Sequence, residues 1–314
     1  MNMAAFDTNA DIDPALLLGF LEFHTIPDLK ISKADLLGLF VKHKVPQHHL
    51  PAEIKEHDAF RRASATLQQS ISVDNAITSK ARLLVREVLS DEDSIVRVLV
   101  RELVDSKNKV LEYDSIASIT FNRASCTVSV NCNSYFLNEF AYDELLTEMK
   151  ELYYEWTNFH TKDTVRNILN KIVNDMNPIS FSPRSKASFI PRQYSEELRG
   201  VAEMVHALTR YCDGYAECEM IMLPLIDSNE QRSLIDKKLK DEISFTTDNL
   251  IVELSEVLAT QKTLQIRTLQ RYAGEITTLR QKVRDYQKLL GTKMDLLDGQ
   301  LDEALSRLDK ISGP

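Results

Sequence analysis

The chain of 314 residues sets 38 Lys+Arg against 47 Asp+Glu, a formal charge of -9, with 43% hydrophobic, 7% aromatic and 27% charged residues. That apolar fraction excludes a wholly disordered chain and fits about two or three folded units at roughly 100 to 200 residues each. The 8 Gly and 9 Pro are too few for a turn-rich sandwich or barrel, or for glycine loops that cradle nucleotides, while long helices tolerate such a composition. No apolar run reaches the roughly 20 residues of a membrane span, and the start, MNMAAFDTNADIDPALLLGF, carries acid where a signal peptide carries base. The expectation is a cytoplasmic protein with reduced cysteines and no membrane partner.

Asp13 to Val45 reads as two short helices, because Leu16, Leu17, Phe20 and Leu21, then Leu36, Leu37, Phe40 and Val41, recur at three-and-four spacing. Pro46 and Pro51 bracket QHHL and break the chain before a third helix over about Ala52 to Gln69. Asp74 to Leu89 reads either as a further helix or, at its end, as the start of a sheet. At Ser94 the period changes to two: Val96, Val98 and Val100 alternate with Arg97, Leu99 and Arg101, followed by extended stretches over Val110 to Phe121 and Thr127 to Cys132. This pattern predicts a three-stranded antiparallel sheet with Arg97, Arg101 and Arg123 on its exposed face. Tyr142 to Met176 is one long helix or two, ended by Pro178. The segment ISFSPRSKASFIP is strand-like, Ser195 to Tyr211 helical, and CEMIMLPLID a short strand ended by Pro224. These strands are expected to extend the first sheet.

From Asn229 onward the chain is helix-forming. Leu250, Leu254, Val257, Gln261 and Leu264, then Tyr272, Ile276, Leu279, Val283, Tyr286 and Leu290, step by four and three, a coiled-coil stripe with a stutter at Thr268. The stripe resumes at Met294, Leu297, Leu301, Leu305 and Leu308, with Gly291 and Gly299 as sites for a bend or hairpin. An unbroken helix from Asp248 to Leu290 would extend on the order of 65 Å, so it must find a partner helix or project. The expected fold class is α+β: a helical N-terminal cap over 1–90, a small, mostly antiparallel sheet with helices over 91–228, and long coiled-coil-like helices over 229–314.

Short chemical motifs are absent, including the phosphate-binding glycine loops, the G-x-S-x-G elbow and the His-Glu-x-x-His frame. Cys126 with Cys132 and Cys212 with Cys218 are spaced too widely for the usual zinc knuckle, and Cys126 and Cys132 on one strand would lie roughly 20 Å apart. They read as small buried hydrophobes. His43, His48, His49 and His57 cluster near Glu53, Glu56 and Asp58; the flanking prolines make His48 and His49 solvated loop residues, and His57 is the best single candidate for chemistry. No metal or cofactor is expected. Arg61 and Arg62 beside Phe60 pair with Glu56 or Asp58 at helical spacing or grip a phosphate. Arg184, Lys186 and Arg192 among Phe181, Phe189 and Tyr194 have the base-and-ring composition of a single-strand nucleic-acid surface and equally of an ordinary strand pair.

LPAEIKEHDAFRRAS at Leu50 to Ser64 and FIPRQYSEELRGVAEMVHAL with MIMLPLIDSNEQRSLIDKKL between Phe189 and Leu239 resemble a family of uncharacterised proteins from bacteria, archaea and tailed phages. The resemblance implies a prokaryotic or mobile-element setting, with defence or counter-defence as a context, and carries no activity or catalytic residue onto this chain. The stripe favours a non-enzymatic interaction or scaffold protein that self-associates as a homo-oligomer, or docks a protein partner, through its C-terminal helices. An intramolecular helical bundle accounts for the same stripe. The alternative function is nucleic-acid binding through Arg61, Arg62, Arg184, Lys186 and Arg192, in prokaryotic DNA metabolism.

Overall fold

The computed structural model describes residues 16–72, 80–104, 110–133, 135, 142–181, 187–260 and 264–312, with backbone alone at 71, 72, 80, 111 and 312. In chain order, strand β1 is Leu17–Thr25, β2 Lys30–Ser32, helix α1 Lys33–Lys42, α2 Glu56–Ala65, β3 Gln69–Ser72, β4 Lys80–Ser90 and β5 Ser94–Val104. Then come β6 Val110–Asn122, β7 Thr127–Cys132, α3 Tyr142–Asn158, β8 Phe159–Thr161, α4 Lys162–Asp175, β9 Ile179–Ser180 and β10 Ser188–Pro191. The series closes with α5 Ser195–Leu208, β11 Glu219–Ile226, α6 Asn229–Ala259, α7 Ile266–Leu290 and α8 Asp295–Ser312. The chain divides into two units: Met1–Leu29, Leu37–His49 and Lys162–Pro314 form one, Lys30–Leu36 and Leu50–Thr161 the other. The mixed α+β class expected from the sequence stands.

The unit containing Leu50–Thr161 is built on an antiparallel sheet of five strands in the order β3-β4-β5-β6-β7. The alternation that marked β5 to β7 reflects one covered face. Ile95, Leu99, Ile119 and Phe121 pack there with Phe60 and Ala63 of α2 and Leu146 and Met149 of α3. The Phe60 and Phe121 rings stack at 5.4 Å. Arg97 shares the parity of Ile95 and Leu99, so it lies on the covered face rather than the exposed one. Its Nη1 donates to the Arg61 carbonyl and to Ser64 Oγ, both at 2.7 Å. The expected basic strand face is corrected accordingly: Arg101 is mostly buried and bonds Asp114 at 2.9 Å, while Arg123 donates to Ser90 Oγ.

The other unit holds a second antiparallel sheet, of four strands in the order β11-β1-β10-β9. Its central strand corrects the expected helical cap, since Leu17 to Thr25 is extended. Leu17, Leu18 and Phe20 are all buried, because β1 has a neighbour on each side and apolar cover on both faces. Such a strand reads as a continuous apolar run, not as an alternation. Gly19 is required there: a Cβ would lie 2.2 Å from the Ile190 carbonyl oxygen. The later strands thus pair with β1 and do not extend the first sheet. β11 also runs past Pro224 to Ile226, as an edge strand permits.

Against this sheet lie α6, α7 and α8, whose core joins Leu18, Phe189 and Leu225 to Ile235, Leu254, Ile276, Val283 and Leu301. The single long helix expected beyond Asp248 is interrupted, with α6 ending at Ala259 and α7 starting at Ile266. Arg232 at the start of α6 donates to the Leu290 carbonyl at the end of α7 at 2.8 Å. Tyr272 at the start of α7 donates to Glu253 near the end of α6 at 3.0 Å, so the two helices are antiparallel. Ser244 with Gln300, and Ser255 with Arg307, set α8 parallel to α6. In place of a projecting coiled coil, the stripe closes an up-down-up three-helix layer.

Candidate functional site

Most of the stripe residues singled out as an interface line this intramolecular core. Leu250, Leu254, Tyr272, Ile276, Val283, Tyr286 and Leu290 are buried; Leu264 and Leu279 pack partly buried against the same core, and Val257 is half-buried. Gln261 lies outside the described residues. Tyr286 is among the largest fully buried side chains. Its hydroxyl donates to the Asn177 carbonyl at 2.8 Å, and burial drives its pKa well above the usual phenol range.

With that seam occupied, the apolar surface of α6 that faces solvent is its opposite side. Phe245 is 71% exposed, Val252 56% and Leu234 40%. Spacings of eleven and seven residues place the three within about 20° of one another around a helix axis. Charge along α6 is uneven. Arg232, Lys237, Lys238 and Lys240 balance Glu230, Asp236, Asp241 and Glu242 before Phe245, whereas Asp248, Glu253 and Glu256 follow it without a base.

Of the candidate nucleic-acid residues, Arg61 and Arg192 have other partners. Arg61 is held by both oxygens of Glu87, each at 3.0 Å, and Glu87 is thereby kept below the usual carboxylate range. Arg62 is exposed, and Arg184 and Lys186 lie outside the described residues. Arg192 donates to the Leu17 carbonyl and lies 3.9 Å from Asp227. Arg61 and Arg192 belong to different units.

The histidines separate into distinct environments. His57 lies 3.6 Å from its neighbour Asp58, and His43 contacts Glu203 at 3.2 Å. His48 and His49 form part of a 3-10 turn, Gln47–His49, and the local chain explains their placement. α1 ends at Lys42, Lys44 takes the left-handed φ of 57°, and Val45 bonds back to Phe40 at 2.9 Å, a turn typical of helix C-termini. The His43 carbonyl rests over Gly200 of α5, where a Cβ would come within 2.7 Å. This seats the turn beside the C-terminus of α4. There the Asp175 carboxylate approaches His49 Nε2 to 3.7 Å and His48 Nε2 to 3.9 Å. Burial, with His48 alongside, lowers the pKa of His49, while Asp175 and Glu197 oppose the shift. Sequence spacing pointed to His57 in this group. The convergence with Asp175 is visible only once α4 is docked.

Cys212 and Cys218 approach to 3.4 Å between sulfurs, and burial pushes the Cys218 thiol up to about 12. Cys126 is exposed. No helix among the described residues is long and apolar enough to cross a membrane. Neither a curated protein nor a solved structure matches the chain. A family model does, over residues 17–312, nearly the whole length: the chain belongs to the family of unknown function DUF6744.

Proposed function

We propose that this protein is an assembly protein that self-associates through the outer face of α6, without catalysis of its own, in the prokaryotic or phage setting that the sequence resemblance implies. The observation that carries the reading is Phe245, a large ring 71% exposed in the middle of a helix whose inner face is already spent on the core. Leu234 and Val252 lie on the same face as single apolar side chains among charged ones, which leaves Phe245 as the large apolar anchor of that face. The uneven charge of α6 supports a second copy as the occupant, because an antiparallel pairing sets the half that carries all four bases against the other copy's wholly acidic half. In an antiparallel two-fold pairing centred on Phe245, positions whose numbers sum to twice 245 stand level with each other. Phe245 then meets Phe245 of the partner subunit, and the Lys238 stem lies over Val252 of the partner subunit.

Sedimentation of the full chain over a concentration series tests this directly. The wild type is expected to dimerise reversibly, and Phe245→Asp to remain monomeric with unchanged helicity. Lys238→Glu, which sets an acid against the acidic half of the other copy's α6, is expected to weaken the dimer. A wild type that stays monomeric, or a dimer indifferent to Phe245→Asp, contradicts the reading.

A further inference from the structure

We propose that His48, His49 and Asp175 form a binding site for a divalent transition-metal ion such as Zn2+, held through two imidazole nitrogens and one carboxylate oxygen. The site involves residues other than those of the α6 face and stands on separate observations. Its three ligand atoms come from the 3-10 turn and the end of α4 and lie within 4.8 Å of one another.

The spacing is informative. A direct charge-assisted hydrogen bond between imidazolium and carboxylate would close to about 2.7–2.9 Å. Instead, the Asp175 oxygen stands 3.7 Å from one ring nitrogen and 3.9 Å from the other, bonded to neither. Metal-ligand bonds of about 2.1 Å in tetrahedral geometry hold ligand atoms about 3.4 Å apart. The three atoms therefore surround a gap of nearly the width an ion fills, and small rotations of His48 and Asp175, 69% and 64% exposed, would complete the closure.

Two features prepare the place for a cation. His49 is 4% exposed, so one ligand is fixed by packing before any ion arrives, and its ring lies only 4.0 Å between centroids from that of His48. Asp175 is the last residue of α4, a helix with no basic residue in its final turn, so the negative end of the helix dipole is left for the ion. Lys171 on α4 and Glu197 on α5 also act on His49, with opposite sign. Two imidazoles and a carboxylate suit zinc and its first-row neighbours rather than magnesium or calcium. Three protein ligands leave at least one coordination position for water or for a donor from another molecule.

The test is calorimetric titration of Zn2+ alone into the full-length, tag-free protein, with Co2+ absorption to report coordination. One equivalent is expected to bind. His48→Ala and Asp175→Asn, both at exposed positions, are each expected to weaken binding about tenfold or more, with circular dichroism unchanged. Cys212→Ser, which removes one of the two adjacent thiols, should leave the affinity as it was. Absence of binding in the wild type overturns the proposal. So does binding that survives both His48→Ala and Asp175→Asn, or that is lost only with Cys212→Ser.

Discussion

At the scale of single residues, the fold relies on buried or half-buried charges that each hold a backbone junction. Asp227 accepts from Arg232 Nε at 2.5 Å and from Nη2 at 2.7 Å, and Arg232 in turn reaches the Leu290 carbonyl. The strand-to-helix corner after β11 is thereby tied to the end of α7. Arg232 holds the Asp227 carboxyl below the usual carboxylate range. A depressed folded-state pKa contributes stability above the unfolded value, and that contribution is lost as pH falls through the folded one. Asp227→Asn is therefore expected to lower the urea midpoint at neutral pH. The gap to wild type should close progressively below about pH 4, where an unfolded aspartate begins to protonate. A gap independent of pH would show that the geometry of the corner, and not the charge of Asp227, provides the stabilisation.

At the scale of elements, Arg97 illustrates why sequence alternation locates a strand more reliably than it orients one. Its guanidinium carries two donors to α2 from the covered face of the sheet, and its Nε, 3.7 Å from Glu87, has no hydrogen-bond partner. Burial lowers its pKa below the usual arginine value, a cost accepted where the side chain anchors a helix. Arg97→Met keeps the apolar stem but leaves the Ser64 hydroxyl without this donor, so a loss of about 1–3 kcal/mol is expected from chemical denaturation. No loss would mean that Phe60 and Ala63 alone seat α2. The strands β5, β6 and β7 were legible because one face is covered and their side chains alternate. β1 was not, since Leu16, Leu17, Phe20 and Leu21 satisfy helical spacing equally well, and a strand covered on both faces offers no alternation to contradict it. The break between α6 and α7 falls a few residues before the stutter at Thr268, yet the stripe alone could not say whether its partner lay in the same chain. The histidine site was the least legible: His48 and His49 were visible as residues, but Asp175 reaches them only through the docking of α4 beside the turn.

At the scale of the whole molecule, the chain spends its most regular apolar pattern internally, so its capacity for association must come from what the three-helix layer leaves outside. Phe245 stands at the middle of α6, with the half that carries all four bases of the helix on one side and a half with acids alone on the other. The most direct measurement is disulfide trapping with Lys238→Cys and Val252→Cys together in a Cys126→Ser background, which keeps Phe245, beside Leu296→Cys in the same background, since Leu296 is also highly exposed at 74% but lies on α8. Positions 238 and 252 are about 21 Å apart along one helix, so they link only between copies. Rapid, near-complete linkage of chains is expected for the 238/252 pair and little at 296. Equal trapping in both variants, or none for the 238/252 pair, would contradict self-association through this face.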